Sequence, residues 1–256
     1  MTLSAEDLPV FGRATSGGGV YVSVIFPAYQ EEGFLETAVS DVVKGLRERR
    51  HTFEVFVVEN GSTDRTRAIA DALATEFVEV QSLFIDEPNY GLALRHGLLH
   101  ATGEFVVNFD VDLYDLQFLD ASILRLGAFG DPNGASIVVA SKRGEGSNDT
   151  RHWTRKLVTG VFSTLLRVGF GLKVSDTHGM KAMRRSDVLD IARRCVFGTD
   201  LFDTELILRA ERAGLRTAEI GVTITEMRPA RTPIVGRVAR SVRGLGRLWL
   251  TLRSER

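Results

Sequence analysis

The chain has 256 residues, a single cysteine and a formal charge of −1 from 32 basic and 33 acidic side chains, with 44% hydrophobic and 25% charged content. That profile suits a soluble globular protein large enough for a substantial core, as one domain with an appended C-terminal element. It excludes an intramolecular disulfide and a cysteine-based metal cluster, and no run of about eighteen apolar residues is present to span a bilayer.

Residues 1–19 lack the basic and apolar blocks of a signal peptide. With Glu6, Asp7 and Gly17-Gly18-Gly19 they read as a disordered leader. Short β-branched runs then alternate with helical patterns. Strands are predicted at Val20–Phe26, Phe53–Val58, Val80–Ile85, Phe105–Asp110 and Ala135–Ala140, and helices over 32–50, 64–76, 90–101 and 115–127. Thr63 or Asp64 suits the N-cap of the second helix and Asp115 that of the fourth, while Gly103 follows the third. Strands apolar on both faces belong in a sheet covered on both sides, hence a mostly parallel one. The alternation predicts an α/β fold with ligands at the carboxyl ends of its strands.

Beyond Ser141 a Gly- and Ser-rich loop, a helix over 152–168 and a strand near 174–184 are expected. Helices near 186–195 and 203–213, a strand at 216–225 and a tail helix from about 234 follow. The domain reading is therefore 20–227 for the catalytic unit and 228–256 for a basic amphipathic element. Eight arginines against Glu255 give that last element +7, leaving −8 elsewhere to reach the overall −1.

Three strand ends carry polar clusters: Pro27-Ala28-Tyr29-Gln30-Glu31, Glu59-Asn60-Gly61-Ser62-Thr63-Asp64 and Asp110-Val111-Asp112. Residues two apart on a strand share a side, so Asp110 and Asp112 are expected to face one way. Two carboxylates that close repel unless a cation intervenes, and a hard ion such as Mg²⁺ or Mn²⁺ takes carboxylates plus substrate phosphates. Each cluster alone has a plain alternative as a strand stop, a turn or a helix cap.

Taken in order, these clusters resemble the inverting glycosyltransferases of the GT-A fold, with a Pro-x-Tyr-Asn-Glu start, an Asp-Asp-Gly-Ser turn and an Asp-x-Asp metal site. Ala140-Ser141-Lys142-Arg143, Asp176-Thr177-His178-Gly179-Met180-Lys181, Phe202-Asp203-Thr204-Glu205-Leu206 and Asn89-Tyr90-Gly91-Leu92 narrow the resemblance to dolichyl- or polyprenyl-phosphate sugar transferases. It implies that Pro27, Tyr29, Glu31, Glu59, Gly91 and Asp110 line the nucleotide site, and that Asp110 and Asp112 hold Mg²⁺ or Mn²⁺. Asp203, Asp176 and Arg143 would be catalytic, and Arg143, His178, Glu205, Arg228 and Arg231 would meet acceptor or phosphate. The implied donor is a nucleotide sugar (GDP-mannose or UDP-glucose), and the implied acceptor is a polyprenyl phosphate or another phosphorylated molecule, at the cytoplasmic face of a membrane. Gln30 departs from the usual Asn, Asn60 from the second acid of the turn, and Tyr114 from a metal-side Gln.

His96 and His100 have metal-ligand spacing but no third ligand nearby, so they read as ordinary helix residues. In the tail, Val235, Val238, Val242, Leu245, Trp249 and Leu252 form an apolar stripe opposite arginines. Such a helix can lie on an anionic membrane or pack on the domain. The alternatives are a soluble phosphorylated or hydroxyl acceptor, a HAD-like phosphatase using Asp110, and a non-catalytic nucleotide-sugar module. A nicotinamide enzyme lacks its glycine motif after the first strand, and no nucleic-acid reader motif accompanies the basic end.

Overall fold

A computed structural model describes residues 19–127, 131, 133–141, 169–174, 177, 179–198, 201–222 and 244–253. Seven strands form one sheet in the order β3-β2-β1-β4-β6-β5-β7. They are β1 Val22–Ala28, β2 Phe53–Asn60, β3 Val80–Ile85, β4 Phe105–Asn108, β5 Ile137–Ser141, β6 Lys181–Arg184 and β7 Thr217–Gly221. The helices are α1 Leu35–Glu48, α2 Thr66–Glu76, α3 Tyr90–His100, α4 Leu116–Leu126, α5 Arg185–Arg194 and α6 Phe202–Arg212, with residues 244–253 forming α7.

Apolar side chains on successive strand residues go to opposite faces, and both faces are covered. Phe26, Val55, Val57 and Val107 join Val39, Leu46, Leu73 and Phe118 from α1, α2 and α4 in one core. Ile25, Phe56, Val58 and Val106 join Leu94, Leu98, Ile191, Leu206 and Leu248 from α3, α5, α6 and α7 in the other. The near-continuous apolar runs are thus the imprint of a three-layer sandwich. Gly97 draws α3 onto the sheet: a Cβ there would stand 2.6 Å from Ile25 Cγ2.

β1 pairs in parallel with β2 and with β4. Hence the carboxyl ends of β2, β1 and β4, each bearing one polar cluster, lie side by side. β6 departs from the parallel rule, running antiparallel between β4 and β5. It is also shorter than the strand expected over 174–184, of which residues 181–184 are extended. Asp115 caps α4 as expected, its Oδ1 accepting from Gln117 and Phe118 N–H. For α2 the cap differs: Arg65 occupies the N-cap position. Asp64 still serves that helix end, since its Oδ1 accepts from Thr66 N–H at 2.9 Å.

The leader, the 152–168 helix and residues 223–243 of the tail lie outside the described residues. In α7, Leu245, Leu248 and Leu252 are buried, whereas Trp249 is 40% exposed with Arg253 stacked 4.9 Å over its ring. Leu248, not Trp249, therefore belongs to the packed stripe, because the face that meets α6 follows 245, 248 and 252. Among the described residues no helix is long and apolar enough to cross a membrane.

Candidate active site

The first two clusters are stitched together by the loops that leave β1 and β2. Gln30 N–H donates to Ser62 Oγ at 3.0 Å, and Gln30 Nε2 to Thr63 Oγ1 at 2.7 Å. Glu31 N–H donates to Thr66 Oγ1 at 2.7 Å, and the Thr66 hydroxyl donates in turn to Asp64 Oδ1 at 2.5 Å. A return bond from Arg65 N–H to Glu32 Oε2 spans 3.1 Å. Gln30 takes φ 58°, a left-handed conformation that Asn tolerates better than Gln. Gly61 is required twice over: its φ is +72°, and a Cβ would meet the Glu87 backbone at 3.1 Å.

Glu59, 1% exposed at the end of β2, accepts from Ser62 N–H through Oε1 at 2.5 Å. Among the described residues its second oxygen, Glu59 Oε2, is buried without a hydrogen-bond partner, as are Asn60 Oδ1 and Asn108 Oδ1. Such atoms at a strand edge are poised for a ligand's donors. Pro27 is the penultimate residue of β1, in register with Val58, Glu31 is 9% exposed and Tyr29 is 38% exposed. Gly91 is buried in the first turn of α3, which Asn89 caps by accepting Leu92 N–H at 3.1 Å.

The third cluster is built differently from its expectation. β4 ends at Asn108, and Asp110 and Leu113 exchange two backbone hydrogen bonds of 3.1 and 2.9 Å, closing a tight turn around Val111-Asp112. Asp110 and Asp112 are therefore joined by a reverse turn and not by the pleat of a strand, and the Asp112 charge acts on Asp110. Desolvation raises the Asp110 carboxyl above the ordinary range. The Asp112 and Asp203 charges push it the same way, while Lys181 and the Tyr90 hydroxyl pull it down. Tyr90 Oη donates to Asp110 Oδ1 at 3.1 Å.

Around this cluster Lys181 is fully buried. Its Nζ donates to Gly179 O at 2.6 Å and Thr177 O at 3.3 Å and stands 3.1 Å from Asp203 Oδ1. Asp110 thus feels the charges of Asp112 and Asp203 together with that of the Lys181 ammonium, which itself pairs with Asp203. Among the described residues no His, Cys, Asp or Glu trio is arranged as a metal cage. A carboxylate pair suits a hard divalent cation that takes its remaining ligands from phosphate and water.

The structure turns Glu205, expected on the acceptor side, away from this centre, and Tyr114 and the histidines of α3 also have other partners. Glu205 is fully buried and turned inward, with Oε1 2.8 Å from Arg209 Nε and Oε2 accepting from Val196 and Phe197 N–H at 2.9 and 2.8 Å. Its Oε2 anchors the chain between α5 and α6, while Oε1 holds Arg209 one turn farther along α6. Tyr114 turns to α1, donating to Asp41 Oδ2 at 2.8 Å, and burial together with Asp41 pushes its phenol up to about 12. His96 and His100 pack ring on ring at 4.4 Å on α3. Arg143, Asp176, His178, Arg228 and Arg231 lie outside the described residues. Sequence reasoning missed Tyr90 and Lys181 as neighbours of the aspartates, although both stood within quoted motifs.

Adjacent parallel strand ends that carry a stitched loop pair and a carboxylate turn, beside an antiparallel β6, match the GT-A fold, and the sequence places the chain among glycosyltransferases. The chain belongs to glycosyl transferase family 2, whose model matches residues 23–191. It is 29% identical over 239 residues to a dolichyl-phosphate beta-glucosyltransferase of Trichomonas vaginalis, covering 87% of this chain and 71% of that one. It is 32% identical over 215 residues to glycosyltransferase AglD of Haloferax volcanii, covering 82% of this chain but only 34% of that protein. The crystal structure of glucosyl-3-phosphoglycerate synthase from Mycobacterium tuberculosis with uridine diphosphate matches at TM-score 0.65 and 23% identity, over 91% of this chain and 79% of that one. Another crystal structure of that enzyme holds Mn²⁺, uridine diphosphate and phosphoglyceric acid. At this identity the likeness is one of fold. Family membership replaces the phosphatase alternative.

Proposed function

We propose that this enzyme transfers a hexose from a nucleoside-diphosphate sugar to a polyprenyl phosphate, with inversion at the anomeric carbon. The observation that carries this reading is the turn that sets the desolvated Asp110 carboxylate beside Asp112. In this reading the two aspartates hold Mg²⁺ or Mn²⁺, which supplies positive charge against the departing nucleoside diphosphate. The stitched loops of Pro27, Tyr29 and Glu31 with Glu59 receive the nucleoside, and Gly91 lets the α3 backbone approach it.

A lipid monophosphate is largely dianionic near neutral pH, since its second ionisation lies near ~6. Its oxygen can attack the anomeric carbon as the bond to the donor diphosphate breaks, with no proton to remove. That fits Asp203, which faces the Lys181 ammonium at 3.1 Å instead of standing free as a base. Arg143, His178, Arg228 and Arg231 are assigned to positioning phosphate, as guanidiniums do through paired donors; Asp176 is assigned to the acceptor side.

The dolichyl-phosphate relative supports the lipid acceptor. Phosphoglyceric acid in the structural neighbour supports a soluble phosphorylated one as the second reading. The outward face of α7, with Arg247, Trp249, Leu250 and Arg253 exposed, supports contact with an anionic membrane surface at its cytoplasmic side. The test is incubation with Mn²⁺, radiolabelled UDP-glucose or GDP-mannose, and a short polyprenyl phosphate. Label entering the organic phase with inverted configuration is the expected result. Label moving only to water-soluble phosphorylated acceptors would establish the second reading, and binding without turnover would leave a non-catalytic module.

A further inference from the structure

We propose that Tyr90 is a positioning residue for the cation site, its hydroxyl fixing which oxygen of the Asp110 carboxylate faces the cation and the donor diphosphate. The inference rests on the reading of Asp110 as a cation ligand given above. The hydroxyl donates to Asp110 Oδ1 at 3.1 Å, which leaves Oδ2 as the less engaged oxygen.

The tyrosine is held firmly enough to do this. It is the first residue of α3, directly after the cap Asn89, whose Oδ1 accepts Leu92 N–H at 3.1 Å. The Asn89 side chain is itself packed over Gly198, where a Cβ would stand 2.8 Å from it. Farther along α3, Gly97 seats the helix on β1 through Ile25. The ring therefore projects from a helix end fixed on two sides, toward a carboxylate just past β4, the next element in the chain.

The chemistry favours a phenol for this task. A lysine or arginine in place of Tyr90 would orient the carboxylate but add to the Lys181 charge that already acts on it, further repelling an incoming divalent cation. A tyrosine hydroxyl orients without adding charge. Outer partners of this kind typically alter metal affinity 10–100-fold when removed.

The experiment titrates Mn²⁺ alone into wild-type protein, Tyr90→Phe and Asp110→Asn, and follows the free Mn²⁺ signal by electron paramagnetic resonance. The expected result is about 10–100-fold weaker Mn²⁺ binding in Tyr90→Phe. The metal-free unfolding temperature and metal-free affinity for uridine or guanosine diphosphate should stay at wild-type values. In turnover assays the Mn²⁺ concentration for half-maximal rate should rise, while kcat at saturating Mn²⁺ changes little. A second readout is the tyrosine ultraviolet difference spectrum on adding Mg²⁺, expected in wild type and lost in Tyr90→Phe. Wild-type Mn²⁺ affinity in Tyr90→Phe, with Asp110→Asn impaired, would overturn the positioning role alone. Wild-type affinity in Asp110→Asn would overturn the ligand reading beneath it. Parallel loss of metal-free nucleotide affinity and unfolding temperature in Tyr90→Phe would reduce Tyr90 to a structural residue and overturn the proposal.

Discussion

The Lys181 ammonium stands 3.1 Å from Asp203 Oδ1 in the interior, with side-chain exposures of 0% and 3%. Thr177 and Gly179 carbonyls complete the cradle of the ammonium. A pair this deep is held by mutual compensation, so removing one partner strands the other charge. Lys181→Met is expected to cost about 3–5 kcal/mol, and Lys181→Met combined with Asp203→Leu to recover most of it. Urea unfolding of the two variants decides the matter: equal destabilisation in single and double variants would refute the pairing energetics.

Asp110→Asn tests the carboxylate turn. The amide keeps an acceptor for Tyr90 but removes a charge that desolvation and Asp112 already disfavour. Metal-free stability should therefore hold or rise. Transfer activity should drop by about 10²–10³-fold, the range for losing one preorganised charge at a reacting centre. Unchanged turnover in this variant would remove Asp110 from the site.

The same shift sets a pH dependence. Because the native Asp110 carboxyl is raised, the folded protein holds that proton more tightly than the unfolded chain does. Its contribution to stability is complete below the ordinary carboxylate range and is lost as pH rises through the raised native value. Mn²⁺ must displace that proton, so metal-induced stabilisation should grow with pH over the same interval. Thermal unfolding with and without Mn²⁺ across mildly acidic to neutral pH reads this directly. A Mn²⁺ effect independent of pH, or one equally steep in Asp110→Asn, would contradict it.

Thr66 ties the first two clusters, accepting from Glu31 N–H and donating to Asp64. Thr66→Val keeps the shape and leaves the Glu31 amide without that partner. The expected cost is about 1–3 kcal/mol, accompanied by a higher KM for the nucleotide sugar and little change in kcat. Denaturant titration and steady-state kinetics check the two halves. Loss of stability with KM unaltered would detach these loops from the nucleotide.

Cys195 is buried, and burial followed by the Glu205 charge pushes its thiol well up. Thiolate is the reactive form, so the native protein should resist thiol reagents until it opens. Labelling should follow the unfolding curve in denaturant. Rapid modification of the native enzyme would show that the segment after α5 is open.

Much of the architecture is legible in the linear chain because it is written in local periodicity. Val80–Ile85 reads as a strand at its observed limits, and Phe105-Val106-Val107 reads as buried on both faces, since consecutive residues serve the two cores. The polar clusters after β1, β2 and β4 could be lined up because parallel strands place their carboxyl ends together. Within the site, Glu59 lies inside β2, which runs on to Asn60, two residues past the expected end at Val58. Glu205 escaped the reading because it shares a motif with Asp203 but points elsewhere: on a helix, residues two apart face different directions.

What the amino-acid order alone determined is the alternation of strand and helix, the two-sided burial of the sheet and the family's ordered motifs, all carried by neighbours in the chain. Only the tertiary structure decided that β6 runs backward between β4 and β5, that Asp110 pairs with Leu113 to close a turn around Asp112, that Lys181 answers Asp203 and that Tyr90 reaches Asp110. These pairings join residues brought together by chain reversals and helix packing. Residue spacing does not encode them, because the partner of a buried charge is chosen by which elements the cores bring into contact.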